Sequence, residues 1–145
     1  MDIQQISNNL KTLTAAFEPI TDKFHTDHEP DYIDLNQEAM DVGEDAVGAK
    51  LPTYSNKSYE QWKKSRGGKS GAFWDLKLDG GFRAGMKMNN RFEIFSTDSK
   101  ADKLVDLTNS NDNDIFGVQP KRLDQYAKDQ LIPEFNDLML EKLMQ

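Results

Sequence analysis

The sequence predicts an α+β protein in which a small antiparallel sheet, built on a β-hairpin, is packed by N-terminal helices and a long C-terminal helix. Three observations support this fold class. Apolar residues near both ends recur at intervals of three and four, as on one face of a helix. Two short alternating segments near the middle flank an Asn-Asn pair that is typical of a turn. The 145 residues are enough for one domain with a hydrophobic core.

The first predicted helix covers residues 2–18. Its apolar positions are Ile3, Ile6, Leu10, Leu13, Phe17 and Ile20. Asp2 is a suitable N-cap, and Pro19 is expected to end the helix because proline has no amide hydrogen. Fewer than three heptads do not form a stable coiled coil alone, so this apolar stripe must dock on the same domain or on another chain. We therefore interpret residues 1–20 as an N-terminal helical arm.

Residues 21–32 are polar and have no helical period, which predicts a linker before an α+β domain at 33–145. A second helix is predicted at the start of that domain, between a cap at Asp34 and a stop at Gly48. Its apolar positions are Leu35, Ala39, Val42 and Ala46. A short third helix is expected after Ser55, a candidate N-cap.

The hairpin is predicted from residues 82–88 and 91–97, which alternate in polarity. A two-residue turn would set the apolar face of the first strand against charged residues. A three-residue loop over 89–91 instead restores one buried face. Its predicted pairs are Met88 with Phe92, Met86 with Ile94, and Ala84 with Ser96.

The C-terminal part is predicted to contain a capped turn, a polar loop and a long helix. Asp98 is a natural N-cap for the turn, and residues 108–114 form the surface loop. The helix starts at Pro120, a residue suited to the first helical turn. Because Pro133 removes a backbone donor, the helix should kink or restart near Ile132.

Composition excludes several classes of protein. The chain has no cysteine, which excludes disulfides, thiolate nucleophiles and cysteine-ligated metals. No apolar stretch resembles a signal peptide or a membrane span, so we expect no secretion and no membrane partner. The net charge of −7 argues against broad, sequence-independent binding of nucleic acid.

The Gly-Lys-Ser sequence at 68–70 ends like a phosphate-binding loop but lacks the glycine that such a loop requires at position 63. We therefore predict no nucleotide site and no cofactor. The same region contains a dense positive cluster, which is a candidate interface for an acidic partner or a phosphate backbone. The cluster consists of Lys63, Lys64, Arg66 and Lys69.

No metal site and no catalytic group is predicted. His25 and His28 lie in the polar linker, where solvated side chains are the expected outcome. The oxygen-rich tract 109–114 lacks the glycine and glutamate of an EF-hand loop. No Gly-x-Ser-x-Gly sequence marks a nucleophile.

The order of several short motifs carries more information than any one of them. The motifs are Gly43 with Gly48, residues 51–55, Tyr59 with Lys63, residues 75–82, residues 96–100 with Leu104, and residues 114–118. In this order they resemble the phage tail-completion and head–tail joining (neck) proteins, especially those of phages that infect Bacteroidetes. The resemblance covers about residues 33–143. The chain departs from it at Asp79, where threonine is more usual, and at Gly81, which replaces a polar residue.

The resemblance implies a non-enzymatic structural component of a tailed-phage virion. Such a subunit forms a ring at the head–tail connector (neck) or at the head-proximal end of the tail, and mediates head–tail joining or tail completion. Its implied partners are other copies of itself, the portal or connector, and the tail tube or terminator, with packaged DNA nearby. It would be made in the host cytoplasm and reside in the virion. The alternatives are another virion-assembly module, such as a tail terminator, a tube-associated protein or a chaperone, and a small metal-dependent hydrolase.

Three groups of residues are expected to form interfaces: the N-terminal stripe, the basic cluster and the polar loop. The competing interpretation is that the stripe packs within the subunit and that both loops are only solvated. The expected interface residues are Ile3, Ile6, Leu10, Leu13, Lys63, Lys64, Arg66, Lys69, Asn111, Asp112 and Asp114.

Overall fold

The computed structural model describes residues 3–53, 57–65, 80–109 and 114–145. Within these ranges the chain is mostly helical with one two-stranded antiparallel sheet, which confirms the predicted α+β class. The elements are α1 (Ile3–Asp27), α2 (Glu29–Asp41), α3 (Lys57–Ser65), α4 (Gly81–Ala84), β1 (Met86–Met88), β2 (Ile94–Ser96), α5 (Ala101–Asn109), α6 (Pro120–Tyr126), a π-helical segment (Ala127–Leu131) and α7 (Ile132–Met144).

The chain divides into two compact units. The helical unit comprises residues 1–28 and 121–145, and the central unit comprises residues 29–120. The N-terminal helix and the C-terminal helix therefore belong to one unit, although they lie at opposite ends of the sequence.

Helix α1 does not end at Pro19, and this prediction was wrong. The helix continues through the proline to Asp27. Aromatic contacts hold both sides of the proline: the ring of Phe17 lies 6.1 Å from that of Phe135, and the ring of Phe24 lies 5.1 Å from it. Packing against α7 thus compensates for the backbone hydrogen bond that Pro19 cannot make.

The predicted linker at 21–32 is also helical, since α1 and α2 are separated by His28 alone. Helix α2 starts with Glu29 and Pro30, and a proline fits the first turn because its missing amide would be unpaired there. It ends at Asp41, short of the predicted stop at Gly48. Gly43 supplies the left-handed residue after the helix, with φ of 77°, so the stop occurs five residues before Gly48.

The hairpin forms with a register two residues away from the predicted one. Met86 pairs with Ser96, Lys87 with Phe95, and Met88 with Ile94. A shift of two preserves the faces, so Met86 and Ile94 are still both buried.

The side chain of Asn89 explains the longer hairpin loop. Its Oδ1 accepts hydrogen bonds from the amides of Arg91 at 2.8 Å and Glu93 at 3.0 Å. Phe92 takes up a positive φ of 61° within this loop. The first predicted strand is also shorter than expected, because residues 81–84 form α4.

The C-terminal helix restarts at Ile132, as predicted from Pro133. The restart is made by the π-helical segment, in which hydrogen bonds span five residues rather than four. The turn before α5 is capped by Asp98, whose Oδ1 accepts a hydrogen bond from the Lys100 amide at 2.8 Å. The short third helix is confirmed as α3, whereas its predicted cap Ser55 lies outside the described residues.

Buried polar side chains support the core of the central unit. Asn36 donates hydrogen bonds to the carbonyl oxygens of Ile115 at 3.0 Å and Gly117 at 2.7 Å. Gln119 donates to the carbonyl oxygen of Asp45 at 2.9 Å. These bonds tie the chain before α6 to α2 and the turn that follows it.

Candidate interaction surface

The helical unit is built on antiparallel packing of α1 against α7. The Asn9 side chain donates a hydrogen bond to the Leu143 carbonyl at 2.9 Å, while Phe17 and Phe24 both contact Phe135 further along. Leu13, one turn after Asn9, is half-buried on this side. The predicted stripe is therefore divided, since Leu13 packs within the unit.

A polar cluster lies just after the C-terminal end of α1, where the chain contacts α6 and α7. His28 Nδ1 lies 2.7 Å from the hydroxyl of Tyr126, and Nε2 lies 3.2 Å from a carboxylate oxygen of Glu134. The His28 side chain is only 12% exposed, and its ring lies 4.6 Å from that of Phe24 at a tilted angle of 57°. The prediction that His28 is a solvated linker residue was wrong, because α1 continues far enough to bring it onto α6 and α7.

Many large apolar side chains of the helical unit are left exposed. Ile3 is 86% exposed, and α7, all of whose residues are described, has no buried residue. The exposed large apolar side chains of this unit are Ile3, Ile6, Leu10, Phe17, Leu123, Ile132, Leu140 and Met144.

Five of these side chains line a groove on α1 or the cavity next to it, and we call them the apolar face: Ile3, Ile6, Leu10, Phe17 and Ile132. On α1, positions 3, 10 and 17 are seven residues apart and so share a face. On α7, Ile132 is the exposed apolar residue that lines the cavity, together with Asn136.

Helices α1 and α7 border a cavity of about 290 Å³, which is lined by Phe17 and Thr21 of α1 and by Ile132 and Asn136 of α7. A shallow groove lined by Ile3, Ile6, Leu10 and Thr14 continues along α1 toward its N-terminus. The apolar face is thus continuous from the start of α1 to the cavity.

Charge is sparse along the N-terminal half of α1. Residues 3–16 contain a single charged side chain, Lys11, although the whole chain is rich in acidic residues. Depletion of charge around exposed apolar residues is the compositional signal of an interface centre.

The other expected interface residues belong to the central unit or lie outside the described ranges. Lys63 and Lys64 are in α3 rather than in a loop, and Lys64 is exposed. Arg66, Lys69, Asn111 and Asp112 lie outside the described residues. Asp114 has a local role, because its carbonyl accepts from the Ala46 amide at 2.7 Å and its Oδ1 from the Phe116 amide at 3.2 Å.

Sequence reasoning missed the contribution of α7 to the apolar face. The periodic pattern of the C-terminal helix predicts one buried stripe, and Leu140 and Met144 extend that pattern without being buried. The sequence does contain an indication of this surface, because the C-terminal helix has more apolar residues than one packed face of a helix requires.

Within the described residues, no group of three or more histidine, cysteine or acidic side chains is placed to hold a metal ion. Across the same ranges, no helix combines the length and apolar character needed to cross a membrane. Comparisons of the chain with protein-family models, with curated proteins and with solved structures find no match.

Proposed function

We propose that this chain is a structural subunit that binds other protein chains through its apolar face. The observation that carries the proposal is the exposure of five large apolar side chains that line the groove on α1 and the cavity beside it. Scattered exposed apolar residues are ordinary on protein surfaces, but a contiguous set with little charge marks an interaction site.

Energetics favour burial of this face against protein. Full burial of a large aliphatic or aromatic side chain contributes about 1.5–3 kcal/mol relative to exposure. Leu10 and Phe17 are 48% and 47% exposed, so each has about 1 kcal/mol left to contribute when a partner covers it.

The composition of α1 points the same way. Ser7, Asn8, Asn9, Thr12 and Thr14 are weak helix formers, because their side chains compete for backbone hydrogen bonds or lose rotamer freedom. Thr12 and Thr14 donate to the carbonyls four residues earlier, at 3.1 and 2.8 Å. A helix of this composition depends on packing for its stability.

The motif order described above supports a more specific setting, the head–tail connector or the head-proximal end of the tail in a tailed-phage virion. In that setting the subunit forms a ring, with the portal or connector and the tail tube or terminator as neighbours. Only the resemblance supports this part of the proposal, whereas protein binding by the apolar face rests on exposure and charge.

The test is the location of the chain in phage particles. In virions of a phage encoding this chain, we expect mass spectrometry to detect it in several copies and gold-labelled antibody to mark the head–tail junction. Leu10→Glu should abolish incorporation, because it places a charge in the centre of the apolar face. Val47→Glu, which changes an exposed apolar residue of the central unit, is the matched control and should be incorporated normally.

Two outcomes would overturn the proposal. A chain that binds unassembled tail protein but is missing from mature virions is an assembly chaperone. Normal incorporation of the Leu10→Glu variant would show that the apolar face is not the binding surface.

A further inference from the structure

We propose that the cavity beside α1 and α7 holds an aromatic side chain of the partner chain, and that this side chain carries a hydrogen-bond donor, as tryptophan and tyrosine do. The inference rests on the proposed function for the use of the apolar face, and it adds the chemistry of the residue that anchors the partner. The cavity opens onto that face, because Phe17 and Ile132 belong to both and are 47% and 53% exposed.

The volume of the cavity suits an aromatic side chain. It is about 290 Å³, whereas a cavity of about 150 Å³ is enough to hold a benzene molecule. A ring with a substituent, or with a second fused ring, therefore fits. Tryptophan and tyrosine side chains seated in such pockets are among the residues that contribute most to binding between proteins.

The walls of the cavity favour an uncharged aromatic group. Three of its residues are phenylalanines arranged edge to face: the rings of Phe17 and Phe135 meet at 88°, and those of Phe24 and Phe135 at 67°. Rings in this arrangement offer edges and faces to a further ring. None of the described residues that line the cavity is Asp, Glu, Lys or Arg, although these make up 30% of the chain. A charged side chain would therefore lose its hydration there without gaining an opposite charge.

Thr21 favours a ligand that donates a hydrogen bond. Its hydroxyl already donates to the Phe17 carbonyl at 2.9 Å, so its oxygen has only acceptor capacity left for a ligand. The N–H of an indole and the O–H of a phenol both match this acceptor, whereas a phenylalanine ring does not. His25 and Asn136 also line the cavity, and neither sets a preference, because imidazole and amide groups can donate as well as accept.

The π-helical segment forms part of the cavity wall. The amide of Ile132 donates to the carbonyl oxygen of Ala127, five residues earlier, and both residues line the cavity. One extra residue in a turn rotates the side chains that follow by about 100° around the helix axis. Such π turns are rare and occur frequently at functional sites. The cavity thus lies where the helix departs from regular geometry, which is an independent indication of a binding site.

An NMR titration of the full chain with indole, the ring system of tryptophan, tests the site. We expect the amide signals of Thr21, Leu131 and Phe135 to shift and saturate with a Kd of about 1 mM or below, as is usual for a ligand of this size. Benzofuran has the same shape as indole but no donor. It should bind about threefold to tenfold more weakly, because the hydrogen bond to Thr21 is lost.

Variants test the role of each wall. Thr21→Val keeps the shape of the side chain and removes the acceptor, so indole and benzofuran should then bind equally well. Thr26→Val is the matched control, since Thr26 donates in the same way to the Asp22 carbonyl at 2.8 Å but does not line the cavity; it should keep the preference for indole. Ala127→Leu places a larger side chain in the cavity and should weaken indole binding at least tenfold. Circular dichroism of each variant should show that helix content is retained.

Incorporation into phage particles tests the source of the aromatic ring. If the ring belongs to a partner chain, Ala127→Leu should lower incorporation at least tenfold, whereas Thr26→Val should leave it unchanged. Indole binding together with normal incorporation of the Ala127→Leu variant would assign the cavity to a free aromatic compound and overturn the partner side chain.

Two further results overturn the inference: no saturable shift with indole up to about 5 mM, and a preference for indole that survives Thr21→Val. All of these results leave the proposed function standing, because its own test uses Leu10, which lines the groove and not the cavity.

Discussion

The two units of the molecule bury different kinds of side chain. Among the described residues, the buried polar and charged side chains are all in the central unit: Asn36, Asp45, Arg83 and Gln119. Over the same ranges, the helical unit buries only Phe24, Tyr126 and Leu131. The core of the central unit therefore combines apolar and hydrogen-bonded polar side chains, whereas that of the helical unit is mainly aromatic and aliphatic.

The difference shows how each unit specifies its structure. Buried polar groups need partners at defined positions, so the hydrogen bonds that Asp45 accepts from three backbone amides favour one arrangement of the chain. The helical unit relies on aromatic contacts that tolerate small shifts between helices. Three substitutions probe this contrast, and the largest expected effect comes first.

Asp45→Ala should remove about 3 kcal/mol from the free energy of unfolding. Asp45 is 1% exposed, and its Oδ1 accepts from the amides of Val47 at 3.0 Å and Ala49 at 2.8 Å, while Oδ2 lies 3.3 Å from the Asp114 amide. The substitution leaves these amides without their acceptor, and bonds to a charged group contribute about 1.5–3 kcal/mol each when lost. Urea unfolding measures the change.

Asp45→Asn is a second test of the same site. Because asparagine keeps one oxygen that can accept from the amides of Val47 and Ala49, this substitution should reduce the free energy of unfolding less than Asp45→Ala does. Asp102→Ala on the exposed side of α5 is the control, with an expected change below about 0.5 kcal/mol. A cost under about 1 kcal/mol for Asp45→Ala would contradict the view that this network specifies the central unit.

Phe24→Ala should cost about 3 kcal/mol, at the low end for a buried phenylalanine because a cavity already lies beside it. The ring contacts His28 at 4.6 Å and Phe135 at 5.1 Å. Hydrogen exchange should quicken in α1 and α7 while the amides of α2 and the hairpin keep their protection. Equal loss of protection in both units would show that they unfold together as one cooperative unit.

The smallest effect concerns Tyr32 of α2. Burial, with a further contribution from the nearby Asp31 charge, raises the pKa of Tyr32 above its ordinary value of 10.0. Above pH 10 the unfolded chain loses this proton before the folded chain does, so stability should stay level below pH 10 and fall above it. Tyr32→Phe should make the decrease in stability above pH 10 smaller, as measured by thermal unfolding over a series of pH values. If the decrease is unchanged in this variant, other titrating groups cause it.

The α+β class, the short helix α3, the cap at Asp98 and the restart at Ile132 were all predicted from local chemistry. Each depends on residues a few positions apart: a capping oxygen, a proline, a repeat of three and four. The hairpin shows the limit of such reasoning. Alternation predicted its faces, but the register followed from hydrogen bonds of Asn89 that alternation does not encode.

Of the candidate site, the α1 half was predicted and the α7 half was not. Ile3, Ile6 and Leu10 stood out because they form a stripe on an otherwise weakly charged segment. Ile132, Leu140 and Met144 belong to a helix with more apolar positions than one packed side requires. Periodicity alone does not tell which of those positions a neighbour covers.

By itself, the sequence determined where helices and turns can form and that α1 needs a surface to pack on, because these properties follow from side chains close in the chain. Only the tertiary structure decided that α1 continues through Pro19, that His28 packs against Phe24 and contacts Tyr126, and that α1 and α7 border an exposed apolar face. The physical reason is that each of these depends on contacts with α6 or α7, about 100 residues away in the chain, and such contacts can outweigh the local preference of a proline or a polar segment.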